Sequence, residues 1–254
     1  MVPVGCVEMM VTAGLNGLNI PDEAVKYILF QRTGYLRSPV TLAYRHLFRR
    51  LPFETPLYNL AVAIEARFAG ERVKALYRQD MGAEFATLQE ALPDSCAAIL
   101  DIGCGVAGID VWLERHYGEQ RPEFYLLDRT ETSGRVYYLL RQRAAFYNSL
   151  DVARALLMSN GIPASRMHLI PATDQFDIPV DGQQFELILS LLSWGFHFPV
   201  ETYAPRVAEL LADGGRVVLD VRHGTGGLRE LRRWFAHIHG IHETEKYTRV
   251  VAML

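Results

Sequence analysis

From about residue 97 the sequence alternates between short apolar runs and stretches with helical spacing. The five apolar runs read CAAILDIG, EFYLLD, MHLIPA, FELILS and GRVVLDV, and amphipathic segments such as IDVWLERHYG and SLDVARALLMSNG lie between them. Buried strands that alternate with helices indicate a parallel sheet with helices on both faces. The alternation therefore predicts an α/β fold with a doubly wound, mostly parallel sheet.

The first 80 residues lack this alternation and read as helices. Helical stretches follow Pro21, Ser38-Pro39 and Thr55-Pro56, and proline suits the first position of a helix. In the third stretch Leu60, Ile64 and Phe68 share one face, which we expect to point inward. We predict a helical N-terminal cap over residues 1–80 and a ligand-binding α/β domain over residues 81–254.

The last 26 residues depart from the alternation in another way. Residues 229–238 read as a helix, and residues 241–254 offer two closely spaced strands that end in YTRVVAML. Strands this close leave no room for a crossover connection, so we expect them to pair antiparallel.

Composition excludes several classes of protein. The hydrophobic content of 50% is enough for a sizeable core, while the net charge of −3 and the isoelectric point near 6.2 disfavour a nucleic-acid-binding protein. The three cysteines form no metal or disulfide pattern. No apolar run reaches the roughly 20 residues that span a bilayer, and the N-terminus lacks the basic region of a signal peptide. We expect a soluble cytoplasmic protein with no membrane partner.

A glycine-rich loop, Gly103-Cys104-Gly105-Val106-Ala107-Gly108, follows the first predicted strand and opens the first helix of the α/β part. In this context the pattern indicates a bound nucleotide-type cofactor. Asp101 lies two residues before the loop, where a carboxylate repels the pyrophosphate of a dinucleotide and attracts an ammonium group. The charge therefore favours S-adenosylmethionine over NAD.

Two further acids follow the next predicted strands. Asp128 ends the second strand, where a carboxylate suits two ribose hydroxyls. Asp174, after the third strand, can accept a hydrogen bond from an adenine amino group, and the backbone N–H of Gln175 can serve a ring nitrogen. We add Cys104 in the loop and Arg129 beside Asp128 to the predicted cofactor site.

These motifs in this order resemble the class I S-adenosylmethionine-dependent methyltransferases. The resemblance covers roughly residues 83–224 and rests on ILDIGCGVAG, the strand-end Asp128, TDQFDIP, FELILS and LLADGGRVVL. It implies a Rossmann-like, seven-stranded sheet with an antiparallel last strand, and methyl transfer as the activity. The positions that match cofactor contacts of the family are Asp101, Gly103, Gly105, Asp128, Asp174 and Ser190.

The segment SLLSWGFHFP, after the fourth strand, lies where an acceptor must meet the methyl group. We predict that Trp194 and Phe196 line an acceptor pocket, together with Tyr138 from the long stretch after the second strand. A hydroxyl acceptor must lose a proton, and His197, with an ordinary pKa near ~6.5, is the candidate general base. His223, after the fifth strand, is the competing candidate. The fourth strand tip offers serines instead of clustered carboxylates, so no metal is predicted.

The same segment, with AAFYNSLDVARALL, is similar to bacterial proteins described as sugar O-methyltransferases. This finer resemblance implies a sugar hydroxyl as the acceptor, so the expected partner is a small molecule. A homodimer is a separate possibility that the sequence leaves open. A phenol or an amine fits the aromatic residues and the histidine equally well. An NAD(P)-linked oxidoreductase and a non-catalytic relative that binds a partner are the alternative classes.

Overall fold

A computed structural model of the chain describes residues 17–37, 55–132 and 147–254. The strands within these ranges, in chain order, are β1 (Ala98–Ile102), β2 (Glu123–Asp128), β3 (Glu131–Thr132), β4 (Tyr147–Asn148), β5 (Met167–Pro171), β6 (Phe185–Ser190), β7 (Leu211–Arg222), β8 (His237–Glu243) and β9 (Tyr247–Met253). The helices are α1 (Asp22–Gln31), α2 (Thr55–Ala86), α3 (Gly108–Tyr117), α4 (Leu150–Ser159), α5 (Ala204–Leu210) and α6 (Gly227–Leu231).

In the described ranges, seven strands form one sheet in the order β5-β2-β1-β6-β7-β9-β8. Neighbouring strands pair in parallel from β5 to β7, and β9 pairs antiparallel with both β7 and β8. The five apolar runs are β1, β2, β5, β6 and β7. The predicted seven-stranded sheet with an antiparallel last strand is therefore confirmed.

Apolar side chains cover both faces of this sheet, as expected where buried parallel strands alternate with helices. One buried cluster joins β1, β2 and β6 to α1, α2, α3 and α4, and the other joins β6 and β7 to α5 and α6. The parallel direction brings the carboxyl ends of β1, β2, β5, β6 and β7 to one edge. Loops that bind ligands in doubly wound sheets gather at this edge.

The described N-terminal part packs on the first of these faces. Helix α1 contacts α2, and α2 contacts α3, which follows the glycine loop. Helix α2 is kinked at Ala69, next to Gly70, and it continues through residue 80 to Ala86. The division into a cap over 1–80 and a domain over 81–254 stays a prediction, and the helix expected after Ser38-Pro39 lies outside the described residues.

Two local predictions are wrong. Leu60 and Phe68 do not face inward but are 55% and 83% exposed, because α2 packs through the opposite side, with Val73, Tyr77 and Met81. The helix expected over 229–238 ends at Leu231, and β8 already begins at His237. Pairing with β9 extends this strand backward by several residues, and local apolar spacing does not report such pairing. In the ranges that the structure describes, no helix is both long and apolar enough to cross a membrane.

Candidate functional site

A cleft opens at the carboxyl edge of the sheet, between the end of β2 and the loop after β6. The glycine loop forms one end of it, through Gly103. The residues that line the cleft come from β1, β2 and the loops after β2, β5 and β6, and they include Asp128, Arg129, Thr173, Phe176, Ser193, Phe198 and Tyr203. The cleft thus lies where the order of the strands predicts a ligand site.

The glycine loop is tied to the end of β2. Gly103 has a φ of +80°, a left-handed conformation that favours glycine, and its N–H donates to the carbonyl of Leu127 at 2.7 Å. The side chain of Ser193 lies where a Cβ at residue 103 would stand. A larger residue at this position would therefore be strained and would displace the loop after β6. The thiol of Cys104 is buried, and burial raises its pKa.

Asp128 faces this loop across the cleft. Its carboxylate accepts the N–H of Gly105 at 2.8 Å and the N–H of Arg129 at 2.6 Å. Burial raises the pKa of Asp128 to about 6, although both N–H groups and the neighbouring Asn148 side chain oppose this rise. The two backbone donors fix the orientation of the carboxylate at the position that sequence analysis assigned to the ribose.

Asp101 is buried below the loop and lies against a second carboxyl group that was not predicted. This second group is Asp110, in the first turn of α3, and its exposed fraction is 0%. Burial and the neighbouring Asp110 raise the pKa of Asp101 well above its ordinary value, and burial raises the pKa of Asp110 to about 7. The phenol of Tyr77, from α2, packs against Gly108 beside this pair. The floor of the loop is therefore acidic.

The loop after β5 closes one side of the cleft. The guanidinium of Arg129 forms an ion pair with the exposed carboxylate of Asp174. The N–H of Gln175 donates to the hydroxyl of Thr173 at 3.3 Å. The structure therefore brings Arg129, Asp174 and Gln175 together near Asp128, while their contact with an adenine stays a prediction.

Ser190, at the end of β6, is fully buried and connects the two halves of the edge. Its hydroxyl donates to the carbonyl of Ile102 at 2.7 Å and accepts the N–H of Trp194 at 2.9 Å. Both hydrogen bonds are to backbone groups of the protein, so Ser190 stabilises the ends of β1 and β6. A contact between this hydroxyl and a cofactor stays a prediction that these bonds do not favour.

Trp194 does not line an acceptor pocket, contrary to expectation. Its side chain is 0% exposed, and the indole N–H donates to the carbonyl of Val200 at 2.8 Å. The turn that carries it is tight: Gly195 has a φ of +87°, and a Cβ there would lie 2.7 Å from the carbonyl oxygen of Asp220. The tryptophan therefore anchors the segment to the core, and the residues after it reach the surface.

Phe196 and His197 are the members of this segment that lie at the surface. The Phe196 ring has its centroid 5.2 Å from the guanidinium carbon of Arg222 and contacts the rings of His197 and Tyr247 edge to face. The imidazole of His197 is exposed on one side, and within the described ranges its nitrogens make no hydrogen bond. Partial desolvation and the charge of Arg222 lower its pKa below the ordinary value.

His223 is held by the hairpin of β8 and β9. Its Nε2 lies 3.0 Å from a carboxylate oxygen of Glu243 and 3.1 Å from the hydroxyl of Thr248, and its Nδ1 lies 3.3 Å from the carbonyl of Glu245. Both ring nitrogens thus have partners in the protein, whereas those of His197 have none among the residues that the structure describes. Tyr138 lies outside the described residues. Among the described residues there is no group of three or more acids, histidines or cysteines that could hold a metal.

A buried ion pair behind the cleft was also missed as part of the site. The guanidinium of Arg249 contacts both carboxylate oxygens of Asp220, at 2.7 and 2.9 Å, and the carboxylate of Glu84 at 2.6 Å. Asp220 in turn accepts the N–H of Leu192 at 3.1 Å. The pair therefore connects α2 and β9 to the segment that carries His197. Acids inside apolar runs, such as Asp220 in RVVLDV, are the sequence signal for such a pair.

Comparison with known proteins gives matches to solved structures alone. No protein-family model and no curated protein matches the chain. The Thermus thermophilus 16S rRNA N2 G1207 methyltransferase, in complex with AdoMet and guanosine, is 15% identical over 68% of this chain and 42% of its own, with a TM-score of 0.48. A ribosomal protein L11 methylase from Lactobacillus delbrueckii subsp. bulgaricus is 12% identical over 69% and 78%, also at 0.48.

The precorrin-6y C5,15-methyltransferase from Geobacter metallireducens GS-15 is 14% identical over 66% of this chain and 85% of its own, with a TM-score of 0.46. The chain spans about half the length of two of the matched proteins, 51% and 42%. With TM-scores below 0.5, these likenesses assign neither a substrate nor a site to this chain.

Proposed function

We propose that the chain is an S-adenosylmethionine-dependent methyltransferase that acts on a hydroxyl of a small molecule, most simply a sugar. The observation that carries this proposal is the acidic floor of the glycine loop, formed by Asp101 and Asp110, with Asp128 opposite Gly105. A pyrophosphate placed on this loop meets the carboxyl groups of Asp101 and Asp110 and is repelled. An ammonium group is attracted by the same pair, and two ribose hydroxyls by Asp128.

The residues around the cleft fit such a cofactor. Asp128 keeps lone pairs for ribose hydroxyls beyond the two that accept backbone N–H groups. Asp101 serves the amino acid end, and Asp174 serves the adenine. The bound cofactor supplies a methyl group on a positively charged sulfur, and the protein aligns this group with the acceptor and excludes water.

His197 fits the part of general base at the acceptor side. Its pKa lies below the ordinary value, so the imidazole is neutral at pH 7 and can accept a proton. A nitrogen of this ring would take the proton of the acceptor hydroxyl as that oxygen gains the methyl group, and the sulfur of the cofactor would leave as a neutral thioether. The ring of Phe196 is half-buried and lies next to His197, and its accessible part offers an apolar surface for a sugar ring.

Isothermal titration with S-adenosylmethionine, and separately with NADH, tests the cofactor. We expect micromolar binding of S-adenosylmethionine and no binding of NADH. Asp128→Asn should weaken binding by about 10- to 100-fold, because a hydrogen bond to a charged group contributes ~1.5–3 kcal/mol. Asp151→Asn, an exposed acid on α4, is the matched control and should bind as the wild type does. Absence of binding at high micromolar concentration, or tighter binding of NADH, contradicts the proposal.

The acceptor is tested by the formation of S-adenosylhomocysteine with panels of sugars, nucleotide sugars, phenols and amines. Turnover with the sugars that falls in His197→Ala supports a sugar hydroxyl as the acceptor and His197 as the base. Turnover with amines alone contradicts a hydroxyl acceptor but keeps the cofactor.

A further inference from the structure

Two carboxyl groups below the glycine loop are buried without a partner of opposite charge. Asp101 is 2% exposed and Asp110 is 0% exposed. Within the described part of the chain, neither carboxylate oxygen of Asp110 accepts a hydrogen bond from a protein donor. A buried carboxylate that lacks both a donor and a cation is costly. The pair must therefore be protonated, or its negative charge must be balanced by a positively charged group of a bound ligand.

The surroundings of the pair supply no cation. The groups that face it are the carboxyl of Asp128 from β2, the phenol of Tyr77 from α2 and the buried thiol of Cys104 from the loop. Among the described residues no lysine, arginine or histidine forms an ion pair with Asp101 or Asp110, and the guanidinium of Arg32, near Tyr77, is paired with Asp80. Two adjacent buried carboxyl groups cannot both ionise under these conditions. In the free protein they share one proton.

We propose that Asp110 joins Asp101 in binding the α-ammonium group of the cofactor, and that binding displaces the proton which the two carboxyl groups share. This inference rests on the proposed function. An ammonium group carries three N–H donors, which match the unpartnered oxygens of Asp110. Its positive charge also removes the repulsion that keeps the proton in place. One N–H···O contact to each carboxylate forms, and the displaced proton leaves to solvent.

The first turn of α3 strengthens the same preference. Asp110 lies in that turn, so the N-terminal end of the helix stabilises its ionised form once the ligand is bound. The side chain of Gln31 lies over Gly105, with its Oε1 2.8 Å from the place of a Cβ there. The same side chain donates from Nε2 to the Oδ1 of Asn148 at 3.4 Å, so it spans from the glycine loop to β4.

Proton release on binding tests this inference independently of turnover. S-Adenosylhomocysteine and 5′-methylthioadenosine share the adenosine and a neutral sulfur, and they differ in the amino acid end. Titration calorimetry at pH 6.5 in buffers of different ionisation enthalpy counts the protons released by each ligand. Because burial and the neighbouring carboxyl group raise the pKa of Asp101, and burial raises that of Asp110, we expect S-adenosylhomocysteine to release more protons than 5′-methylthioadenosine does, with a difference of up to about one.

Two variants make the assignment specific. Asp110→Asn should reduce the difference between the two ligands, because Asp110 then no longer adds to the rise in the pKa of Asp101 that burial causes. Asp151→Asn, on the surface of α4, should leave the difference unchanged. If Asp110→Asn does not fold, the comparison of the two ligands on the wild-type protein remains decisive.

The outcomes separate the inference from the proposed function. If neither S-adenosylmethionine nor S-adenosylhomocysteine binds, the proposed function fails. If S-adenosylhomocysteine binds but releases no more protons than 5′-methylthioadenosine, or if Asp110→Asn leaves the difference intact, the proton-sharing pair is overturned while the cofactor stands.

Discussion

Replacement of Arg249 by methionine should destabilise the protein strongly. Arg249 is 0% exposed, and its guanidinium contacts the carboxylates of Asp220 and Glu84 and the hydroxyl of Thr87. Methionine fills similar space but leaves Asp220 without its cation, while Glu84 keeps the longer contact to Arg32, at 3.9 Å. Breaking a buried pair by removal of one partner costs ~3–5 kcal/mol. For a chain of this size, each kcal/mol of lost stability lowers Tm by about 2–4 °C. We therefore expect Tm to fall by roughly 6–20 °C.

The effect should depend on pH in a definite direction. Burial already raises the pKa of Asp220, and Arg249 opposes this rise. Without Arg249 the pKa of Asp220 in the folded state rises further, so the folded variant binds a proton that the unfolded chain does not hold. Stability of the variant relative to the wild type is therefore higher at pH 5 and is lost as pH rises toward 8.

Chemical denaturation at pH 5 and pH 8 measures both effects, with Arg233→Met as the control. Arg233 is an exposed arginine paired with Glu230, and its replacement should change stability by less than about 0.5 kcal/mol. The double variant Arg249→Met/Asp220→Leu should lose less than the sum of the single variants, since it removes the unpaired charge. A loss below ~1 kcal/mol for Arg249→Met, or equal losses at both pH values, would refute the reasoning.

Three further predictions concern the cleft. His197→Ala should lower turnover at least ~10-fold with little change in cofactor affinity, and the wild-type rate should rise with pH through a value below the ordinary pKa of histidine; equal activity would reject the role. Trp194→Ala should cost ~3–5 kcal/mol in a denaturation experiment, whereas a cost below 1 kcal/mol would contradict its anchoring role. Asp128→Asn should gain stability relative to the wild type as pH rises from 4 to 7, because burial raises the pKa of Asp128 to about 6 and its ionisation disfavours the folded state; an unchanged difference in melting curves would exclude this.

The sequence predicts most of the sheet because its strands are local, continuous apolar runs. The ends of those strands are local features as well, so Asp101 and Asp128 could be placed at the carboxyl edge of the sheet from their positions near the ends of β1 and β2. The pairing order and the antiparallel last strand follow from the resemblance and from the close spacing of the last two strands. These parts of the prediction required no knowledge of distant contacts.

The parts that could not be predicted depend on contacts between distant segments. Trp194 turns inward because Gly195 packs against the backbone of Asp220, which is 25 residues away in the chain. Asp110 reads as an ordinary acid of a first helical turn, and Tyr77 from α2 makes its surroundings buried. Leu60 and Phe68 point outward for a similar reason, because α2 packs against α1 through another face. Periodicity reports that a face exists but not which neighbour it meets.

Two of the buried acidic sites among the described residues are neutralised in different ways, and the difference bears on function. Asp220 receives a permanent cation, Arg249, placed opposite it by the register of β7 and β9. Asp101 and Asp110 receive none among the described residues, although they are equally buried. A pair that served stability alone would gain from an arginine like that of Asp220. A pair that binds the ammonium group of a ligand must leave room for that group instead of an arginine. Until the ligand binds, the shared proton reduces the repulsion between the two carboxyl groups.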